Sequence, residues 1–238
     1  MSRNTMIVAL IALVIGVVAL ALPFVLGGKG EMESRITSLE AKSGASLKIA
    51  YLDAESALKV FDEAVKDLSQ KAQDKASEII QLQQQYTGGS VTKQDFDNRN
   101  NQLQAELLQA QVAIDSGMLE KMIAAPGFSD IRPQLQKIRE QAQPMIDETK
   151  NLVSTARVGV VNAADFQNRY NTVKNVYSQL AQLLAQAAMA KVEQASQKVG
   201  VQNGYDLVLL KKNVLMYLNT ARLTDVTDLV KRELASYL

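Results

Sequence analysis

Between Ala54 and Val199 the apolar residues recur at alternating spacings of three and four. Leu58, Phe61, Val65, Leu68, Ala72, Ile79, Leu82 and Tyr86 keep that step, and only Lys75 is out of character. A later stretch runs Ile131, Leu135, Ile138, Ala142, Met145, Thr149, Leu152, Ala156, and a last one Phe166, Tyr170, Val173, Tyr177, Leu180, Leu184, Ala187. A repeat of 3.5 residues gives each helix a narrow apolar seam, which must be buried against another helix. A chain patterned in this way folds as packed helices or not at all.

Three breaks divide the stretch: Thr87-Gly88-Gly89-Ser90, Ala125-Pro126-Gly127 and Val158-Gly159-Val160. They predict four helices, at about 54–86, 92–124, 130–157 and 163–199, each on the order of 45–55 Å long. Helices of that length suit elongated arms better than a globule. Pro133 falls in a first turn, whereas Pro144 lies inside the third helix and predicts a kink there. The first and third breaks are followed by one signature, Val91–Asn101 and, 70 positions later, Val161–Asn171. Thr92 and Asn162 read as N-caps, Asp95 and Asp165 as the third helical residues, and Val91 or Val161 as a staple onto Phe96 or Phe166. Capping explains these matches, but it does not explain Asn98-Arg99 beside Asn168-Arg169. A duplicated hairpin and convergent capping both remain open at this level.

The two ends are patterned differently. Lys48–Leu52 has the length of a strand, while Tyr205–Leu210 and Val214–Asn219, separated by Lys211-Lys212-Asn213, read as a hairpin. Thr224 reads as the cap of a final helix ending near Tyr237. Three strands leave open edges and little core. Strands from several copies closing on one another would remove both problems.

Residues 6–26 contain no charged side chain, and as a helix they reach roughly 31 Å, the thickness of a bilayer core. That length favours an anchor that stays over a signal cleaved after Ala19-Leu20-Ala21. Arg3 precedes the segment, whereas Lys29 and Arg35 behind it are offset by Glu31 and Glu33, so the rest of the chain is expected outside the cytoplasm.

The chain has 238 residues and a net charge of +1, with no Cys, His or Trp. It therefore has no disulfide, no thiolate or imidazole metal ligand and no His base, and catalysis would fall to carboxylates such as Asp53, Asp206 and Asp225, which read more simply as caps and turns. No phosphate-binding loop is present, and neither enzymatic activity nor a cofactor is expected. Beyond the first 30 residues, 24 basic side chains face 25 acidic ones, a balance unlike the basic surface that nucleic acid requires.

The ends carry a resemblance. Lys48-Ile49-Ala50-Tyr51-Leu52-Asp53, then Tyr205-Asp206-Leu207-Val208-Leu209, Val214-Leu215-Met216-Tyr217 and Asp225–Val230, with the order strand, long helices, hairpin, short helix, resemble the Skp (OmpH-like) periplasmic chaperones. The resemblance covers about residues 47–238 as architecture. It implies a mainly α fold with a small β body: a homotrimer whose β-barrel is built from strands of three subunits and carries long antiparallel helical, coiled-coil arms around a cavity for unfolded proteins. This chain departs from the family in its anchor, its enlarged arms and its near-neutral charge.

The expected organisation is a signal-anchor at 1–29, a stalk and linker at 30–46, a four-helix arm at 54–199 and a β body from 47–53 and 200–238. The body would join three copies through Ile49, Tyr51, Leu207, Val208, Leu209, Leu215 and Tyr217. Met118, Met122, Ile123 and Phe128 cluster at the second break, where adaptable Met-rich surface suits client binding and ordinary helix packing explains the same residues. The expected function is an extracytoplasmic, ATP-independent holdase for unfolded outer-membrane proteins. Its expected partners are two further copies, its clients and, through residues 6–26, the lipid bilayer. The alternative is a membrane-anchored trimeric spacer or tether in the cell envelope.

Overall fold

A computed structural model describes residues 47–160, 162–212 and 223–238. The expected anchor, the stalk and the strand at 214–219, with Leu215 and Tyr217, lie outside the described residues. Among those described, no helix is long and apolar enough to cross a membrane.

The fold is mainly helical with a small parallel sheet. Strand β1 (Ile49–Leu52) leads directly into α1 (Ala54–Ala64), which Asp53 caps by accepting from the Ser56 backbone N–H at 3.0 Å. The first expected helix is in fact two. Val65, at φ −122° and ψ 20°, interrupts it before α2 (Lys66–Thr87). The reason is packing: α1 lies against the C-terminal helix, whereas α2 follows α3 (Lys93–Ala124). A 3-10 turn at Pro126–Phe128 joins α3 to α4 (Arg132–Val158), which contains Pro144 and packs antiparallel on α3. Helix α5 (Ala163–Gln202), about 60 Å long, returns along α4 and α3.

Both expected caps are present. Thr92 and Asn162 accept from the backbone N–H of Asp95 and Asp165 at 3.2 and 3.0 Å. Gly89 and Gly159 hold positive φ in the two turns that precede those helices. The apolar seams of α4 and α5 are buried from Leu135 to Ala156 and from Phe166 to Ala188.

Strand β2 (Leu207–Leu210) pairs in parallel with β1, Ile49 opposite Leu207 and Leu52 opposite Leu210. Thr224 does not cap the last helix. With Asp225 it forms β3 (Thr224–Asp225) on the other side of β1, because Val226 N–H donates to the Tyr51 carbonyl and holds this segment extended. Helix α6 (Thr227–Ala235) starts two residues later than a cap at Thr224 would give, its first N–H donating to Asp225 Oδ1 at 2.9 Å. The turn after α3 touches this base: Gly127 N–H donates to the Tyr237 carbonyl at 3.1 Å, and Phe61 meets Phe128 edge to face.

Candidate functional site

The base sheet has two unlike faces, since successive side chains of a strand point to opposite sides. Ala50, Leu52 and Val208 belong to the helical core, and Val208 lies over Gly200 of α5. Ile49, Tyr51, Leu207 and Leu209 alternate with them and take no part in that core. Together they make an apolar outer face. The structure thus separates the expected joining residues: Val208 packs, partly buried, against the helical core of its own chain, and the other four share the opposite face of the sheet.

Tyr51 is the best covered of the four. Burial, together with the hydrogen bond and negative charge of Asp225, raises its hydroxyl above the ordinary tyrosine range. Asp225 is itself held below the usual carboxylate range, because hydrogen bonds from Thr227 and Tyr51 outweigh the desolvation that opposes its charge. The hydrogen bond that Asp53 accepts from the Ser56 backbone likewise lowers Asp53, and Asp206 accepts from Lys48 N–H at 3.0 Å. Asp53 and Asp225 are thus engaged at helix starts, whereas Asp206 ties the start of β2 to the start of β1.

Met118, Met122, Ile123 and Phe128 do come together, but within the core. Met122 is 1% exposed and Phe128 is fully buried. Around them Lys191, also buried, donates to both Asp130 oxygens at 2.7 and 2.8 Å and sits over the Phe128 ring. Ordinary packing where α3 and α4 meet is what these residues do in this fold.

At the opposite end of the helices lies a feature the sequence reading missed. A polar cleft of about 1320 Å³ is bordered by α2, by the first half of α3 and by the last turn of α4. Glu106 is its centre. It receives Lys75 of α2 at 3.0 Å, Arg157 of α4 at 3.1 Å and Gln102 of its own helix at 3.0 Å. Although desolvation opposes its charge, these three donors hold Glu106 below the usual carboxylate range. The signal in the sequence was Lys75, the one residue out of step in the first seam.

No family model, curated protein or solved structure matches the chain. The case for a function therefore rests on the two features above and on the resemblance at the chain's ends. The sheet's outer face is suited to association with a like surface, whereas the cleft is suited to a ligand with polar and apolar parts.

Proposed function

We propose that this chain is one subunit of an oligomeric, ATP-independent holdase of the Skp type, anchored by residues 6–26 and working on the extracytoplasmic side of the membrane. One observation carries the reading: the apolar outer face of Ile49, Tyr51, Leu207 and Leu209 at the foot of the long helices. A small sheet whose outer face is only part-buried at Ile49, Leu207 and Leu209 among the described residues gains from association, and three copies turned inward would bury that face fully as a common barrel. Helices of about 40–60 Å standing on such a base would then surround a sheltered volume. Binding there would draw on many weak contacts rather than on one pocket.

The burial of Met118, Met122, Ile123 and Phe128 favours the second reading, a trimeric spacer or tether, since it takes these apolar side chains away from clients. An aggregation assay separates the two. The full chain, purified in a non-ionic detergent, is mixed with an unfolded β-barrel protein as the denaturant is diluted. The holdase reading expects light scattering to stay at baseline at one trimer per client. Undiminished aggregation at that ratio leaves only the spacer.

A further inference from the structure

Shifting the chain by 70 positions lays the α2–α3 hairpin onto the α4–α5 hairpin. Capped starts match at Thr92 and Asn162, and left-handed turn glycines match at Gly89 and Gly159. Glu78 and Arg99, 21 residues apart, fall where Glu148 and Arg169 fall. In the second hairpin Arg169 Nε–H donates to Glu148 at 2.7 Å, with Asp165 at 4.0 Å, and Glu148 is almost wholly buried. Along the same seam Met145 and Val176 line a void of only about 10 Å³.

The matching places in the first hairpin hold Lys75 and Glu106, and here the seam opens into the large cleft. Packing does not account for the difference, because a half-buried ion pair stabilises a seam no better than two well-packed apolar side chains. Lys75 also takes Glu78, at 2.9 Å. Arg99 thereby lacks the carboxylate that its counterpart holds, and Asp95 is occupied by the Thr92 hydroxyl at 2.7 Å. Arg99 and Lys71 line the cleft with no ion-pair partner among the described residues, beside the apolar Leu103, Ala110 and Ala113.

We propose that this cleft binds a polypeptide segment carrying an isolated carboxylate, which pairs with Arg99 as Glu148 pairs with Arg169 while Glu78 stays with Lys75. Neighbouring apolar side chains of the segment lie on Leu103, Ala110 and Ala113. The charges of the cleft favour a lone carboxylate over a densely charged ligand, a run of acidic residues included. Asp74, Glu78, Asp95 and Glu106 stand among its cations, so a nucleic acid or an anionic lipid surface meets as much repulsion as attraction. A peptide brings single carboxylates, apolar groups and amides together. The proposal holds whether or not the chain is a holdase.

The test uses the full chain in non-ionic detergent and a fluorescent peptide of leucines and serines with a single central glutamate, read by anisotropy against its glutamine counterpart. The glutamate peptide should bind at least ten-fold more tightly. Arg99→Gln should remove that preference, and Lys71→Gln, which disturbs no ion pair, should weaken binding about three-fold. The double change Lys75→Met with Glu106→Val, which gives this seam the chemistry of its counterpart, should close the cleft and abolish binding. Arg232→Gln, on α6, should change nothing. Equal affinity for the two peptides, or no binding of either, overturns the proposal. So does an equal loss in the Arg232 variant, or displacement of the peptide by inorganic phosphate at the peptide's own concentration, which would mark a simple anion site.

Discussion

Arg169 and Arg99 stand at matching places, yet only Arg169 is tied to a buried acid. Removing Arg169 leaves Glu148 with Asn151 as its remaining side-chain donor, at 3.4 Å, in a place water barely reaches. Arg169→Ala should therefore cost about 2–3 kcal/mol in denaturant unfolding, toward the lower end for a broken buried pair because the arginine itself is partly exposed. Arg99→Ala should stay within about 0.5 kcal/mol, as surface changes do. Equal costs would mean that the cleft arginine is structural after all. Asp115 supplies a pH signature. Burial pushes its carboxyl up to about 6, and its Oδ2 has no hydrogen-bond partner among the described residues. Tyr177 faces it and is pushed up to about 12, by burial first and then by the Asp115 charge. Since Asp115 titrates near 3.8 when unfolded, the folded protein keeps a proton that the unfolded chain has already released. The resulting stabilisation is complete below about pH 4 and is lost as pH rises through 6. Asp115→Asn should melt higher than the parent at pH 7.5, with the gap narrowing as pH falls from 6.5 to 4. A gap that does not change with pH would sink the assignment.

At the scale of elements, capping and apolar spacing decided where helices begin and which stripe they bury. What they could not anticipate was a partner. Val65 breaks a seam that reads as continuous, because α1 has α6 to pack against and α2 has α3. The turn at Gly127 is the clearest contact of this kind. A Cβ there would stand 2.3 Å from the Tyr237 Cβ and 2.6 Å from its Cα, so backbone as well as side chain blocks it. Gly127→Ala should push the end of α6 off the turn and cost about 1–3 kcal/mol, as overpacking does. Limited proteolysis should then cut first after Lys231 or Arg232. An unchanged melting temperature and cutting pattern would show that the turn does not hold α6 in solution.

For the whole molecule, the two faces of β2 make opposite demands. Val208 packs, partly buried, against the core of its own chain beside Gly200, so Val208→Asp places a charge under α5 and should destabilise the fold by the cost of a partly desolvated, unpaired carboxylate. Leu209 lies on the outer face, and Leu209→Asp should leave the helical signal intact while breaking assembly. Light scattering in matched detergent should give about three times the monomer mass for the parent and the monomer mass for the Leu209 variant. A parent that is monomeric at micromolar concentration would sink the trimer.

By itself the sequence determined the last three of its four long helices, the caps at Thr92 and Asn162, and strands within Lys48–Leu52 and Tyr205–Leu210, since periodicity, capping chemistry and turn glycines are local properties; the break of the first helix at Val65 it did not show. It also marked Lys75 as foreign to its seam. Only the tertiary structure decided that Thr224 and Asp225 pair with β1 instead of capping a helix, and that Met122 and Phe128 are packing residues. The same holds for the division of β2 between two faces and for the opening of the first hairpin into a cleft whose counterpart in the second is closed. Each of these depends on a contact between residues far apart in the chain, and such contacts leave no period in the sequence.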